Sequence, residues 1–341
     1  MNNKKLYLTI LTVAAIAGLL VFLPAGKEVG KVAFQHNEGT IFGTLYHAKY
    51  HCDQDLKAEL EAELQKVDAS LSMFNPQSTI SLINKGETDK ADKMLTEVLS
   101  LSYTVNEATG GAFDPTVAPL VNAWGFGFKN GQLPDSAQVD SLRALVGLSS
   151  IHLRDDKLTK DNPLSILDFS AIAKGYGVDR AAQVLRGHGI QNFMVEIGGE
   201  VVTEGVNEKG EPWRIGINKP TDDSTSTNTD LQDVIALSGK AIATSGNYRN
   251  YYISGGRKIA HTINPHTGYP AQQDILSSTV MAPSCAEADA FATAFMVLGL
   301  EEAKQVLRNQ PQLEAYFIYS DEQGNYKTWF TEGFSSLLIK N

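Results

Sequence analysis

The sequence predicts an α+β fold, and three observations carry that expectation. Helical and strand-like segments come in runs instead of strict alternation, which argues against a doubly wound parallel sheet. After Leu148 the texture changes, from apolar residues every three or four positions to short Val- and Ile-rich runs separated by glycines. No internal repeat recurs at solenoid or propeller periods. At 341 residues, 43% hydrophobic and 20% charged, the chain can bury a real core, as two domains or as one large intertwined unit.

Residues 53–71 place Leu56, Leu60, Leu64, Val67 and Leu71 at helical spacing between charged positions, which makes an amphipathic helix. A second helix is expected over 93–108, stopped at Gly110-Gly111, and a third over 136–146, stopped at Gly147, because glycine admits a left-handed cap. Two short alternating runs then flank Asp155-Asp156 as a hairpin would. Residues 171–186 return to helical spacing and close at His188-Gly189. Strands are expected at 192–197, 200–205, 213–218, 233–238 and 277–282. Between them, residues 219–232 (KPTDDSTSTNTDLQ) lack apolar periodicity and read as a surface insertion. Helices over 284–299 and 301–309 precede a last strand pair around 315–319 and 327–330.

Residues 1–5 form a basic start with Lys4 and Lys5, and residues 6–24 (LYLTILTVAAIAGLLVFLP) carry no charge. Such a run can span a bilayer, and behind a lysine pair it also has the form of a secretory signal. Both readings put the rest of the chain on the exported side. With no clear small-x-small cleavage site near residues 24–26 and no following cysteine, a retained anchor is favoured, joined to the body by a linker over 25–37.

Lys+Arg 29 against Asp+Glu 39 gives a net charge of −10, and no basic cluster interrupts the body of the chain, which disfavours nucleic acid as a partner. Any phosphate must be held locally, by a metal, by backbone amides or by a few cations. Cys52 and Cys285 have no zinc-site spacing; they either pair or stand as isolated small hydrophobes.

Chemistry concentrates in glycine-bearing stretches: GGAFDPTVAPLVNAWGFG (110–127), LDFSAIAKGYGVDRAA (167–182), VEIGGE (195–200), ATSGNYRNYY (243–252) and HTINPHTGYP (261–270). None is a GxGxxG turn or a P-loop. In the 284–299 helix Ser284 is placed as N-cap, with Glu287 three residues on as in a capping box. Asp289 and Thr293, four apart, share a helix face among Ala286, Ala290 and Ala292. A carboxylate beside a hydroxyl suits a hard cation such as Mg2+, although such a pair is also common on a solvated face. Phe291, Phe295 and Met296 mark much of this helix as buried, where an Asp needs a partner. Asp168 and Ser170 stand where they could cap a helix starting near Ala171. Lys174 would then oppose the dipole in its first turns, which a nearby anion or simple snorkelling would explain. His261 leads into a tight reversal at Asn264-Pro265 and Thr267-Gly268 and is either a base or a strand cap, while His266 is expected to be exposed. No nucleophile elbow or triad motif is present, so acyl transfer is disfavoured.

Taken together and in order, these stretches, with GTLYHAKY (43–50), SMFNPQSTIS (72–81) and EADAFATAFMVLG (287–299), resemble the ApbE-type FAD:protein FMN transferases, or flavin transferases, over residues 38–330. The resemblance implies an ApbE-like, T-fold-like domain of mixed sheet and helices over 38–335, following the N-terminal hydrophobic segment. It implies an exported bacterial enzyme with Mg2+ that takes FAD as substrate, joins the FMN half to a Thr or Ser of a target protein through a phosphoester, and releases AMP. The implied targets are flavoprotein subunits of membrane redox pumps of the Na+-translocating NADH:quinone oxidoreductase type, met at the inner (cytoplasmic) membrane on its periplasmic side.

Carried over residue by residue, the resemblance puts the metal on the Ala171 carbonyl, Asp289 and Thr293. It puts flavin or adenine contacts on Phe42, Phe74, Ala112, Phe113, Asp114, Asp168, Lys174 and Ile263. Phe42 stands where relatives often carry Met, and Phe74 where many carry Tyr; both keep an apolar face for a flat ring, but Phe74 lacks the hydroxyl. Transfer of this kind asks for positioning and charge neutralisation, with His261 as the candidate base and Asp289 or a metal-bound water as its rival. Two other functions would use the same motifs: a Mg2+-dependent FAD pyrophosphatase, with water as acceptor, and a non-catalytic flavin-binding protein that keeps its FAD.

Overall fold

A computed structural model of the protein describes residues 33–127, 133–220, 230–247, 251–254 and 257–339. The basic start, the apolar run over 6–24 and most of the linker lie outside the described residues, as do residues 221–229 of the insertion. Among the described residues no helix is long and apolar enough to cross a membrane.

The chain opens on a hairpin, β1 (Phe34–Ile41) and β2 (Thr44–His51), turned by Phe42 and Gly43 with φ of 52° and 74°. Helix α1 (Lys57–Leu71) follows, then α2 (Thr79–Lys85), capped by Ser78, and α3 (Lys93–Ala108), capped by Asp92. Asp92 also accepts from the hydroxyls of Ser70 and Thr79 at 2.7 and 2.6 Å, so one carboxylate ties three helices together. Next come α4 (Ala118–Ala123) and α5 (Ser136–Arg143), the latter opened by an Asp135/Gln138 capping box and one turn shorter than its spacing suggests. The hairpin β3 (Ile151–Arg154) and β4 (Lys157–Lys160) turns at Asp155 and Asp156, both left-handed, as expected. Helix α6 (Ala173–Gly187) leads to β5 (Phe193–Ile197), β6 (Glu200–Glu204), β7 (Trp213–Asn218), β8 (Leu231–Leu237), β9 (Lys240–Gly246), β10 (Tyr251–Ser254), β11 (Arg257–Ala260) and β12 (Ile275–Ala282). Leu231 and Gln232 thus belong to a strand and not to the insertion. Helices α7 (Cys285–Leu298) and α8 (Leu300–Asn309), strands β13 (Glu314–Ser320) and β14 (Tyr326–Phe330), and the short α9 (Glu332–Ser335) complete the chain.

One eight-stranded sheet, ordered β1-β2-β5-β6-β9-β12-β13-β14, organises these elements, and the α+β class is as expected. Every neighbouring pair is antiparallel, so the sheet is not of mixed direction. Its two faces are buried by different partners. Ala243, Val280 and Phe317 join the α7 residues Phe291 and Phe295 in one cluster, whereas Ile242, Met281 and Tyr316 pack with Ile235 and Leu237 of β8 and Phe334 of α9. Burial on both sides explains why nearly every residue of β12 is buried, the polar Ser277, Ser278 and Thr279 included. Cys52 and Cys285 are both free thiols, Cys285 fully buried.

The sheet places α7, but α6 holds its first turn. Asp179 of α6 accepts from the N–H groups of Cys285 and Ala286, both at 2.9 Å, where α7 leaves its amides unsatisfied. Burial pushes the Asp179 carboxyl up to about 6, against the pull of those two bonds. The fold therefore favours the protonated form: the carboxyl's contribution to stability is full below its unfolded value, near 4, and is lost as pH rises through about 6. Urea unfolding of the parent and of Asp179→Asn should show a larger stability gap at pH 4 than at pH 7; a gap that widens with pH would contradict the shift.

Candidate active site

Asp289 and Thr293 do share one face of α7, and that face forms a wall of a cavity of about 430 Å³. Asp289 is 3% exposed, and Thr293 shares a hydrogen bond with Ser245 of β9 at 3.1 Å. The helix starts as its sequence suggests, with Ser284 Oγ accepting from the Glu287 N–H, although the Glu287 carboxylate meets Gln312 instead of closing the box.

The start of α6 departs from expectation. The helix begins at Ala173 with Ile172 as N-cap and no side-chain cap. Asp168 instead accepts from the N–H and the hydroxyl of Ser170, at 2.8 and 2.5 Å, and so shapes the loop before the helix. The Gly175 N–H, one of the first-turn donors that a helix leaves without an intrahelical acceptor, donates to Asp289 Oδ2 at 3.1 Å. Among the described residues no backbone N–H bonds the Ala171 carbonyl. Ala171, Asp289 and Thr293 line one cavity, and a backbone carbonyl, a carboxylate and a hydroxyl are the oxygen donors that a hard cation takes. Among the described residues no cluster of three or more His, Cys, Asp or Glu could hold a metal ion.

The same cavity is lined by Ala112, Phe113, Asp114, Asp168, Lys174, His261 and Ile263. Asp114 is nonetheless occupied by its own chain, accepting from the Thr116 N–H and hydroxyl and from the Leu148 N–H, so its carboxylate shapes a loop. The His261 ring stands edge-on to Phe126, 6.3 Å between centroids, and His266 is exposed in the turn beyond. Phe42 and Phe74 lie elsewhere, in an adjoining chamber of about 440 Å³ that meets the first at Ser170 and Lys174. Phe42 packs over Gly177 of α6, whereas Phe74 is 72% exposed.

Lys174 joins the two chambers, and its anion is in the protein. Its ammonium donates to Glu200, a residue that sequence reasoning quoted in VEIGGE without assigning it a role. Burial works against the ammonium, but Asp289 and Glu200 outweigh it and hold its pKa above that of an ordinary lysine. Burial raises the carboxyls of Glu200 and Asp289, with the Lys174 charge opposing in each case. Burial likewise raises Asp168, opposed by its bonds to Ser170. Ser245 and Gly175 were also missed. For Glu200 a signal existed, since two consecutive glycines ahead of an acid mark a tight turn that presents it.

Fold and cleft together define an α+β protein whose site pairs a cluster of oxygen donors with an embedded cation and extends into a second, aromatic-edged chamber. The chain belongs to the ApbE family, whose profile matches residues 42–317. It is 36% identical over 280 residues to a FAD:protein FMN transferase of Escherichia coli K12, covering 80% of this chain and 76% of that one. It is 39% identical over 265 residues to the enzyme of the same name from Haemophilus influenzae, covering 76% and 74%. Among solved structures it is similar to the flavin transferase ApbE from Vibrio cholerae, with a TM-score of 0.80 at 34% identity over 90% of this chain and 99% of that one. The apo form of the Pseudomonas stutzeri flavinyl transferase ApbE also superposes with a TM-score of 0.80, at 32% identity over 91% and 98%.

A Cβ on Gly175 would stand 2.3 Å from the Cys285 carbonyl oxygen and 2.8 Å from the Ala286 nitrogen, both backbone atoms that cannot swing aside. Gly175→Ala should force α6 off α7, lower stability by about 1–3 kcal/mol in urea unfolding and break the Gly175 bond to Asp289. Parent-like stability would show that the crossing tolerates a methyl group.

Proposed function

We infer that the protein is an FAD:protein FMN transferase, which takes FAD as substrate and moves its FMN half onto a hydroxyl of a target protein. The observation that carries this reading is the pair of chambers meeting at Lys174, one edged by Phe42 and Phe74, the other lined by Ala171, Asp289, Thr293 and His261. A ligand with flat ring systems around a diphosphate suits such a cleft.

Lys174, its side chain 32% exposed, presents positive charge where the two chambers meet and orients the diphosphate there. The Ala171 carbonyl, Asp289 and Thr293 would hold Mg2+, which when bound offsets negative charge on the phosphate oxygens. His261 accepts the proton of the acceptor hydroxyl. The hydroxyl oxygen bonds to the phosphorus of the FMN half, the bond to the bridging oxygen breaks, and AMP leaves with that oxygen. The acceptor is a Thr or Ser of a flavin-carrying subunit of a membrane redox pump, of the Na+-translocating NADH:quinone oxidoreductase type. The uncharged run over 6–24 would keep the enzyme at the cytoplasmic membrane with its catalytic body on the periplasmic side.

Co-expression with such a subunit, followed by mass spectrometry, should show the acceptor heavier by one FMN. AMP formed from FAD and Mg2+ without any acceptor would instead indicate a pyrophosphatase, and retained FAD without turnover a binding protein. Asp289→Ala should abolish Mg2+-dependent transfer while leaving the circular dichroism spectrum parent-like, because Lys174 keeps its Glu200 partner. His261→Ala should keep FAD binding and lose transfer in a single-turnover assay; full transfer would remove His261 from the mechanism.

A further inference from the structure

We propose that Glu200 is a positioning residue, which holds the Lys174 ammonium off Asp289 and so keeps that carboxylate open to a divalent cation. The proposal rests on Asp289 being a cation ligand, as argued above.

Glu200 reaches the cavity through local geometry. Strands β5 and β6 pair Ile197 with Glu200 across a two-residue turn, Gly198-Gly199, with φ of 59° and 99°. The turn is braced by the Gly199 N–H donating to Glu196 at 2.6 Å. It delivers a carboxylate only 2% exposed to the cavity wall. One of its oxygens accepts from Lys174; the other, Oε2, is buried with no hydrogen-bond partner among the described residues. A half-satisfied buried carboxylate is a poor stabiliser, since leaving a polar atom unpaired costs more than the surviving bond returns. Its use must lie in what it does to its one partner.

That partner has two acids to choose from. Lys174 precedes Gly175, whose N–H holds Asp289, so the lysine stem is rooted beside Asp289, and Lys174, Glu200 and Asp289 line the same cavity. A lysine head on a flexible four-carbon stem settles on the best carboxylate within reach. The ammonium sits on Glu200, and Asp289 accepts from Gly175 alone among the described residues. Without the Glu200 carboxylate, the remaining buried acid is Asp289. An ammonium on Asp289 would occupy the lone pairs a divalent cation needs and repel it. With the ammonium on Glu200, the Asp289 carboxylate is left for the cation.

Mn2+ binding to the full chain, followed by electron paramagnetic resonance of the free ion without FAD, tests this directly. Glu200→Gln should weaken Mn2+ binding by about tenfold or more, the scale of one charge-assisted contact. Adding Lys174→Met to Glu200→Gln should restore the affinity of Lys174→Met alone. This double variant buries neither charge and is expected to fold even where the single variant does not. Unchanged Mn2+ binding in Glu200→Gln would overturn the proposal, as would a double variant that binds more weakly than Lys174→Met. Asp289→Ala separates the two levels: if it binds Mn2+ like the parent, the metal assignment itself fails, whereas loss in Asp289→Ala with no change in Glu200→Gln sinks only the role of Glu200.

Discussion

Everything in the site depends on the close crossing of α6 over the first turn of α7. Gly175 lets the two backbones meet at a distance that no side chain would permit, and its N–H then bridges to Asp289. Asp179, one turn further along α6, accepts from the amides that α7 cannot satisfy by itself. Two residues of one helix thus set the height and the rotation of the other. The rotation is what turns Asp289 and Thr293 toward the cavity while Phe291 and Phe295 face the sheet.

The crossing has a second consequence. It gives the Gly175 N–H a carboxylate partner, and the Ala171 carbonyl just before the helix accepts from no backbone N–H among the described residues, while Ala171 itself lines the cavity. A helix N-terminus ordinarily presents donors and attracts anions. Here one of those donors is consumed by a carboxylate, and a carbonyl and a lysine stand where amides would otherwise dominate. The local field therefore has both signs within one wall, which suits a ligand that is itself a phosphate beside a cation.

The buried charges follow the same economy of position. Glu200, Lys174 and Asp289 come from a hairpin turn and two helices, and each is tolerable only because the others are present. Asp114, by contrast, spends both oxygens on nearby N–H and hydroxyl groups, and Asp168 spends Oδ1 on Ser170, so both shape the loops they lie in. The eight-stranded sheet behind them is a firm backing: where β9, β12 and β13 are covered on both faces, a strand cannot shift register without turning core residues toward the wrong layer.

Much was legible in the chain alone, because some physics is local. The α+β class, the amphipathic helices, the Asp155-Asp156 turn and the shared face of Asp289 and Thr293 all follow from periods of two and 3.6 and from short-range turn chemistry. Strand β2 of the first hairpin carries the same local trace, buried Tyr46, Ala48 and Tyr50 alternating with the half-buried His47 and Lys49. The doubly buried strand β9 showed no alternation to read. Residues far apart in sequence were beyond local reasoning altogether. Which carboxylate Lys174 meets, where the Gly175 N–H points and how Phe42 and Phe74 reach the far chamber depend on contacts spanning 26, 114 and dozens of residues. Spacing along a helix decides which side chains share a face; only the packing of one helix on another, and of both on the sheet, decides what that face meets.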